Sequence, residues 1–155
     1  MLHVGCGNSI LAVQMAQHGY ERIVNVDISR TVIEHMAERW RAHDAQLQWL
    51  VCDVKAMRFG DGAFGCVLDK GTLDAVLAEK GDCWELDESV AAEAHAYLAE
   101  CARVLRRGGC FLYITFGQPH FRKLCLLDER LPWTLESTAT VGDTWHYYVY
   151  VLRKK

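Results

Sequence analysis

Over its first two thirds the chain alternates between two hydrophobic rhythms. Residues 1–4, 23–26, 47–52 and 66–68 are short, nearly continuous apolar runs, the pattern of strands buried on both faces. The first two runs are each followed by apolar residues at helical spacing. Asn8 or Ser9 is placed to cap the first helix, which carries Ile10, Leu11 and Met15 and stops at Gly19. Ser29 caps the second, whose Val32, Ile33, Met36, Ala37 and Trp40 share a face. From Asp87 onward, Val90, Ala94, Tyr97, Leu98, Cys101, Val104 and Leu105 keep a helical period. That helix is expected to end in Arg106-Arg107-Gly108-Gly109, with cations in its last turn and glycine past its end. Residues 110–116 make a fifth strand. Strand, turn and helix in alternation imply a parallel sheet with helices on both faces. The last third breaks the rhythm: 133–140 and 144–152 are β-rich runs joined by Val141-Gly142-Asp143, which predicts a hairpin.

Composition narrows the picture. With 155 residues, 51% of them apolar and 24% charged, the chain reads as a single domain, 1–155, able to bury a core. A net charge of −3 steers it toward neither nucleic acid nor anionic membrane; a basic protein suits it better as a partner. No apolar run approaches the roughly 18–20 residues of a membrane span, and no signal-peptide pattern opens the sequence. The seven cysteines include no C-x-x-C pair and no His cluster with zinc spacing, so no metal is expected. Reduced, buried thiols and a cytoplasmic location are the expectation.

Candidate chemistry lies at the strand ends. In an open parallel sheet, ligands bind outside the carboxyl ends of the strands. Gly5 and Gly7 follow the first strand and let the backbone turn tightly against a ligand. Asp27 ends the second strand, placed to accept from two ribose hydroxyls. Asp53 ends the third, where it can accept from an adenine amine while the Val54 amide reaches a ring nitrogen. Asp69 ends the fourth, beside the place where a transferred group would sit. A dinucleotide such as NAD fits less well: its G-x-G-x-x-G turn wants a third glycine where this chain has Ile10.

Three segments carry a family resemblance. Leu2-His3-Val4-Gly5-Cys6-Gly7-Asn8-Ser9, the pair Asp53-Val54 and the run Leu68-Asp69-Lys70-Gly71-Thr72-Leu73-Asp74-Ala75 are similar to the methyltransferase-like family of protein-lysine methyltransferases. Its members include enzymes that modify elongation factor 1A and mitochondrial citrate synthase. Pro119-His120-Phe121-Arg122 resembles the elongation-factor branch. The resemblance implies an α/β, Rossmann-like class I methyltransferase sheet with a C-terminal antiparallel hairpin. It implies S-adenosylmethionine as cofactor and a protein such as elongation factor 1A as methyl acceptor, modified on lysine.

Carried over residue by residue, the resemblance implies cofactor contacts from Gly5, Gly7, Asp27, Ile28, Asp53, Val54 and Lys70, the last toward the methionyl end. No general base is assigned; Asp69 is expected to position, and Asp74 to start a helix. Methylation of nucleic-acid bases is disfavoured, because Asp69-Lys70-Gly71-Thr72 stands where those enzymes carry an Asn/Asp-Pro-Pro-aromatic run. Pro119–Arg122 is expected on a loop, with His120 and Phe121 able to line a substrate entrance. Trp145, Tyr147, Tyr148 and Tyr150 are expected in hairpin pairs and core. Family members carry several dozen residues ahead of the glycine motif. Here four precede Gly5, so the expectation is an N-terminally truncated domain that lacks its lid segment and binds cofactor weakly. Two other functions remain open at this point: a non-catalytic methyltransferase-fold module acting through a partner, and a small-molecule methyltransferase.

Overall fold

The computed structural model describes residues 1–43, 46–78 and 87–155; Cys83 lies outside the described residues. The strands are β1 (Leu2–Val4), β2 (Ile23–Asp27), β3 (Leu47–Val51), β4 (Phe64–Lys70), β5 (Leu105–Thr115), β6 (Trp133–Val141) and β7 (Tyr147–Lys154). They form one sheet in the order β3-β2-β1-β4-β5-β7-β6. The first five named in that order run parallel, β7 is antiparallel to β5, and β6 is antiparallel to β7. This is the expected α/β sheet with its closing hairpin. Chain order reverses between β1 and β4, which opens a crevice at their carboxyl ends.

Helices α1 (Leu11–Gln17), α2 (Arg30–Arg39), α3 (Thr72–Ala78), α4 (Glu88–Val104) and α5 (Pro119–Leu126) connect these strands. The larger core sets Leu2, Val4, Val26, Val67, Phe111 and Tyr113 of the sheet against Ala94, Tyr97, Leu98 and Cys101 of α4. Phe111 lies parallel to Trp133, centroids 5.1 Å apart, and Tyr113 stacks on Tyr150 across β5–β7 at 6.0 Å. A smaller cluster joins Ala12, Val13 and Ala16 of α1 to Ile23 and Leu47. Burying one stripe of each helix on the sheet supplies the stability that helices this short lack alone. Among the described residues, no helix is long and apolar enough to cross a membrane.

Four boundaries differ from expectation, each for a physical reason. Helix α1 starts at Leu11 with Ile10 at its N-cap, because the glycine turn runs on through Asn8; Ser9 Oγ still accepts the Leu11 amide at 3.3 Å. Helix α4 ends at Val104, since Leu105 turns extended and pairs with Phe64. The next β4–β5 pair is Cys66 with Cys110, so Arg106-Arg107-Gly108-Gly109 forms a bulge inside β5 rather than a helix end. Pro119–Arg122 is the first half of α5, where Pro119 sits at the start and needs no amide partner. Trp145 is neither paired nor core: the ladder stops at Val141↔Tyr147, leaving its side chain 84% exposed.

Candidate active site

Strand β1 feeds directly into the Gly5-Cys6-Gly7 turn. Gly5 and Gly7 hold φ of +54° and +53°, a region other residues enter at a cost. Gly5 is also crowded: a Cβ there would lie 2.1 Å from Thr72 Oγ1. That hydroxyl donates to the Val4 carbonyl at 2.9 Å, tying the turn to the start of α3. The Cys6 amide donates to Val26 O at 2.9 Å, and the buried Cys6 thiol is pushed up to about 12 by desolvation. The Gly7 amide donates to Asp27 Oδ2 at 2.8 Å, and the Ser29 amide to Asp27 Oδ1 at 2.9 Å. Each Asp27 oxygen keeps acceptor capacity for a further donor. Ser29 Oγ in turn caps α2, accepting from the Val32 amide.

A cavity of about 340 Å³ opens at the carboxyl ends of β1–β4. Gly5, Asp27, Ile28, Asp53, Val54 and Lys70 line it, all residues singled out from the sequence. Gly7 is the exception: it acts from behind, through its bond to Asp27. Asp53 is exposed, and its Oδ1 accepts the Lys55 amide at 2.9 Å, which fixes the turn after β3. Ile28 is 72% exposed, an apolar surface beside Asp27 that a flat ligand ring could cover. Cys52, Lys55, Gly71, Thr72, Ala75, Val76 and Glu93 complete the wall, and sequence reasoning had not singled them out for it. Thr72, Ala75 and Val76 recur on one face of α3, a signal that was present. Glu93 carries no local signal, since it arrives from α4 and pairs with Lys55 at 2.8 Å.

The two acids of the Asp69–Asp74 segment sit otherwise than expected. Asp69 does not line the cavity. It is fully buried and accepts from the Thr72 amide (2.7 Å), the Leu73 amide (3.0 Å) and Tyr97 OH (2.8 Å). Burial pushes its carboxyl up to about 6 against those donors. It anchors the start of α3 and reaches no substrate. Asp74, expected merely to start a helix, is also buried, and Tyr113, Thr115 and Arg122 all donate to its Oδ1. His120 and Phe121 pack ring on ring at 4.0 Å on α5 and are not part of the cavity wall.

Known proteins resemble this chain in sequence and in fold. The chain is 36% identical over 154 residues to EEF1A lysine methyltransferase 4 of Mus musculus, covering 99% of this chain and 60% of that protein. It is 43% identical over 123 residues to the eEF1A lysine and N-terminal methyltransferase of Bos taurus, covering 79% of this chain and 17% of that protein. It therefore spans less than two thirds of either relative's length. Among solved structures, a SAM-dependent methyltransferase from Methanosarcina mazei superposes with a TM-score of 0.77 at 15% identity, covering 99% of this chain and 91% of that one. A (4+2)-cyclase superposes with a TM-score of 0.76 at 14% identity, covering 99% of this chain and 73% of that one, so the likeness speaks for fold alone. Residues 2–113 match the family described as a methyltransferase domain, and with the glycine turn and strand-end acids in place the chain belongs to that family.

Proposed function

We propose that the chain binds S-adenosylmethionine in the β1–β4 cavity and methylates a lysine of a protein, elongation factor 1A or one similar to it. The observation that carries this reading is convergence: the glycine turn, Asp27 and Asp53 meet on one cavity of about 340 Å³. The donor set fits the cofactor. Asp27 would accept from ribose hydroxyls with the capacity its two amide bonds leave free. Asp53 would accept from the adenine amine beside the Val54 amide, Ile28 would cover a ring face, and Lys70 would lie toward the methionyl end; all four line the cavity. When bound, the cofactor supplies a methyl group on a sulfonium, ready for in-line attack by a nucleophile. The names of the relatives above support the choice of acceptor.

The chain's own residues have modest chemical demands placed on them. A lysine acceptor must shed a proton first, which costs about 4–5 kcal/mol at neutral pH. Desolvation on docking lowers that cost, whereas a facing carboxylate would raise it. Asp69 is no base, because it is buried and bonded to three donors. Holding acceptor and methyl group in line is the main requirement.

Calorimetry with S-adenosylmethionine and with NAD, followed by tritium transfer to purified elongation factor 1A, tests the reading. Binding to the first ligand only, with label on protein lysine, is expected. Binding to NAD alone would sink it. Cofactor binding without transfer to any protein would favour a non-catalytic module, and label on small molecules a different acceptor.

A further inference from the structure

Asp74 is a buried carboxylate that the scheme above does not use. Tyr113 OH, Thr115 Oγ1 and Arg122 Nε donate to its Oδ1 at 2.8, 2.7 and 2.7 Å. Its Oδ2 is buried and takes no hydrogen bond. That oxygen sits just behind the cavity wall, since a Cβ on Gly71 would lie 3.9 Å from it. A carboxylate so lopsidedly bonded is expensive to bury, and such arrangements in native proteins call for an explanation.

The connections of Asp74 run in two directions. Toward the cavity, it shares the single short helix α3 with Thr72, Ala75 and Val76, all on the wall, and Thr72 is bonded to the β1 end. Toward solvent, Arg122 reaches it from α5, with the side chains of the pair only 17% and 6% exposed. Arg122 lies across Gly117, where a Cβ would meet its Nε at 2.4 Å. The Gly117 amide donates to Thr115 Oγ1 at 2.8 Å, and Thr115 itself donates to Asp74. The turn 116–118 and the first turn of α5 are thus both tied to one carboxylate. Phe116 in that turn is 68% exposed, and it lies two residues after Ile114, the register partner of the cavity residue Lys70.

We propose that Asp74, acting through Arg122, is a positioning residue for the methyl acceptor. It fixes the turn 116–118 and the start of α5 as the wall on which the acceptor protein docks beside the cofactor cavity. This rests on the methyltransferase reading above. A charge-assisted bond shielded from water is short and stiff, which suits a part that sets distance.

Three variants decide the matter: Arg122→Ala, Arg122→Lys, and Gly117→Ala, which crowds Arg122 while leaving both hydroxyl donors of Asp74 in place. Arg122→Ala and Gly117→Ala should raise KM for elongation factor 1A by about tenfold or more while the calorimetric Kd for S-adenosylmethionine moves less than about twofold. Hydrogen exchange over 116–124 should quicken in both, and Arg122→Lys should recover part of each effect. A parallel loss of cofactor affinity would overturn the proposal, as would an unchanged KM. If the wild-type chain binds no S-adenosylmethionine, the methyltransferase reading itself fails; exchange over 116–124 then decides the tie, and unchanged exchange in Arg122→Ala refutes it.

Discussion

The β1–β3 side and the β5–β7 side of the sheet build their carboxyl edges by different means. On the β1–β3 side the acids stay partly exposed and are held by backbone amides: Asp27 by Gly7 and Ser29, Asp53 by Lys55. On the β5–β7 side the organising acid is buried, and its partners are side chains 39, 41 and 48 positions away in sequence. An edge held by backbone amides keeps its bonds through most side-chain changes, except at the glycines and the acids. An edge made from distant side chains exists only when α3, β5 and α5 have all packed. The first suits an invariant small ligand, and the second suits a surface that must differ from one protein substrate to another.

The contrast can be broken at several points, beginning where the expected effect is greatest. Gly5→Ala should cost about 3–5 kcal/mol, combining a strained φ with overpacking against Thr72. Urea unfolding measures it, and adding Thr72→Ala should return the part due to the clash. No single alanine on the exposed turn 116–118 other than Gly117 should approach that loss.

The seam between the two sides offers the next test. His3 on β1 is buried, bonded to Asn25, and brought down to about 4 from 6.5 by desolvation. Its folded-state value is depressed, so its contribution is present above 6.5 and is lost as pH falls toward 4, about 3 kcal/mol in all. Asp69 on β4 is raised from 3.8 to about 6, so its contribution is present at low pH and is lost as pH rises through that window, again about 3 kcal/mol. The two windows overlap with opposite sign. Asp69→Asn should lose more stability than the wild type as pH falls from 6.5 to 4, because the opposing contribution is gone. Urea midpoints across that range check this, and an Asp69→Asn variant that loses no more than the wild type would refute the opposition.

Asp27→Ala should weaken S-adenosylmethionine binding by about 1–3 kcal/mol, because two hydroxyls lose their acceptor. Calorimetry reads this directly, and the effect on the acceptor protein's KM should be slight, the mirror image of Arg122→Ala. The smallest effect leaves stability untouched. Cys110 pairs with Cys66 across β4–β5, and its thiol is brought down by the neighbouring Cys66, with help from Arg153. Iodoacetamide at neutral pH should label Cys110 ahead of the buried Cys6 and Cys101, with mass spectrometry locating the adduct. Cys66→Ala should slow that labelling.

What could be read from the sequence follows the same division. Gly5, Gly7, Asp27 and Asp53 were legible because each stands at the end of a recognisable buried run. Ser29 was legible as a cap from the helical spacing that follows it. Asp69 and Asp74 were not, since which of two nearby acids is sealed under Tyr97 and which gathers Tyr113 and Arg122 depends on packing. The end of α4 was misplaced because strand pairing overrides helix signals: Leu105 meets Phe64, and Arg103 takes the helix-end role expected of Arg106 and Arg107, binding Glu100 and the Met57 and Phe59 carbonyls. Trp145 looked like a hairpin rung because alternation in sequence does not reveal where a ladder stops.

Strand β1 contributes only Leu2–Val4 to the sheet, yet it sits between β2 and β4. On the ribosome this means a wait. One edge of β1 can pair as soon as β2 emerges, but the other must stand open until β4 has been made through Lys70. At about 5–20 residues per second that interval lasts roughly 3–13 s. An open strand edge can recruit stray strands over such a time. Mispairing during synthesis is therefore most to be expected at this edge, which the finished sheet closes with β4.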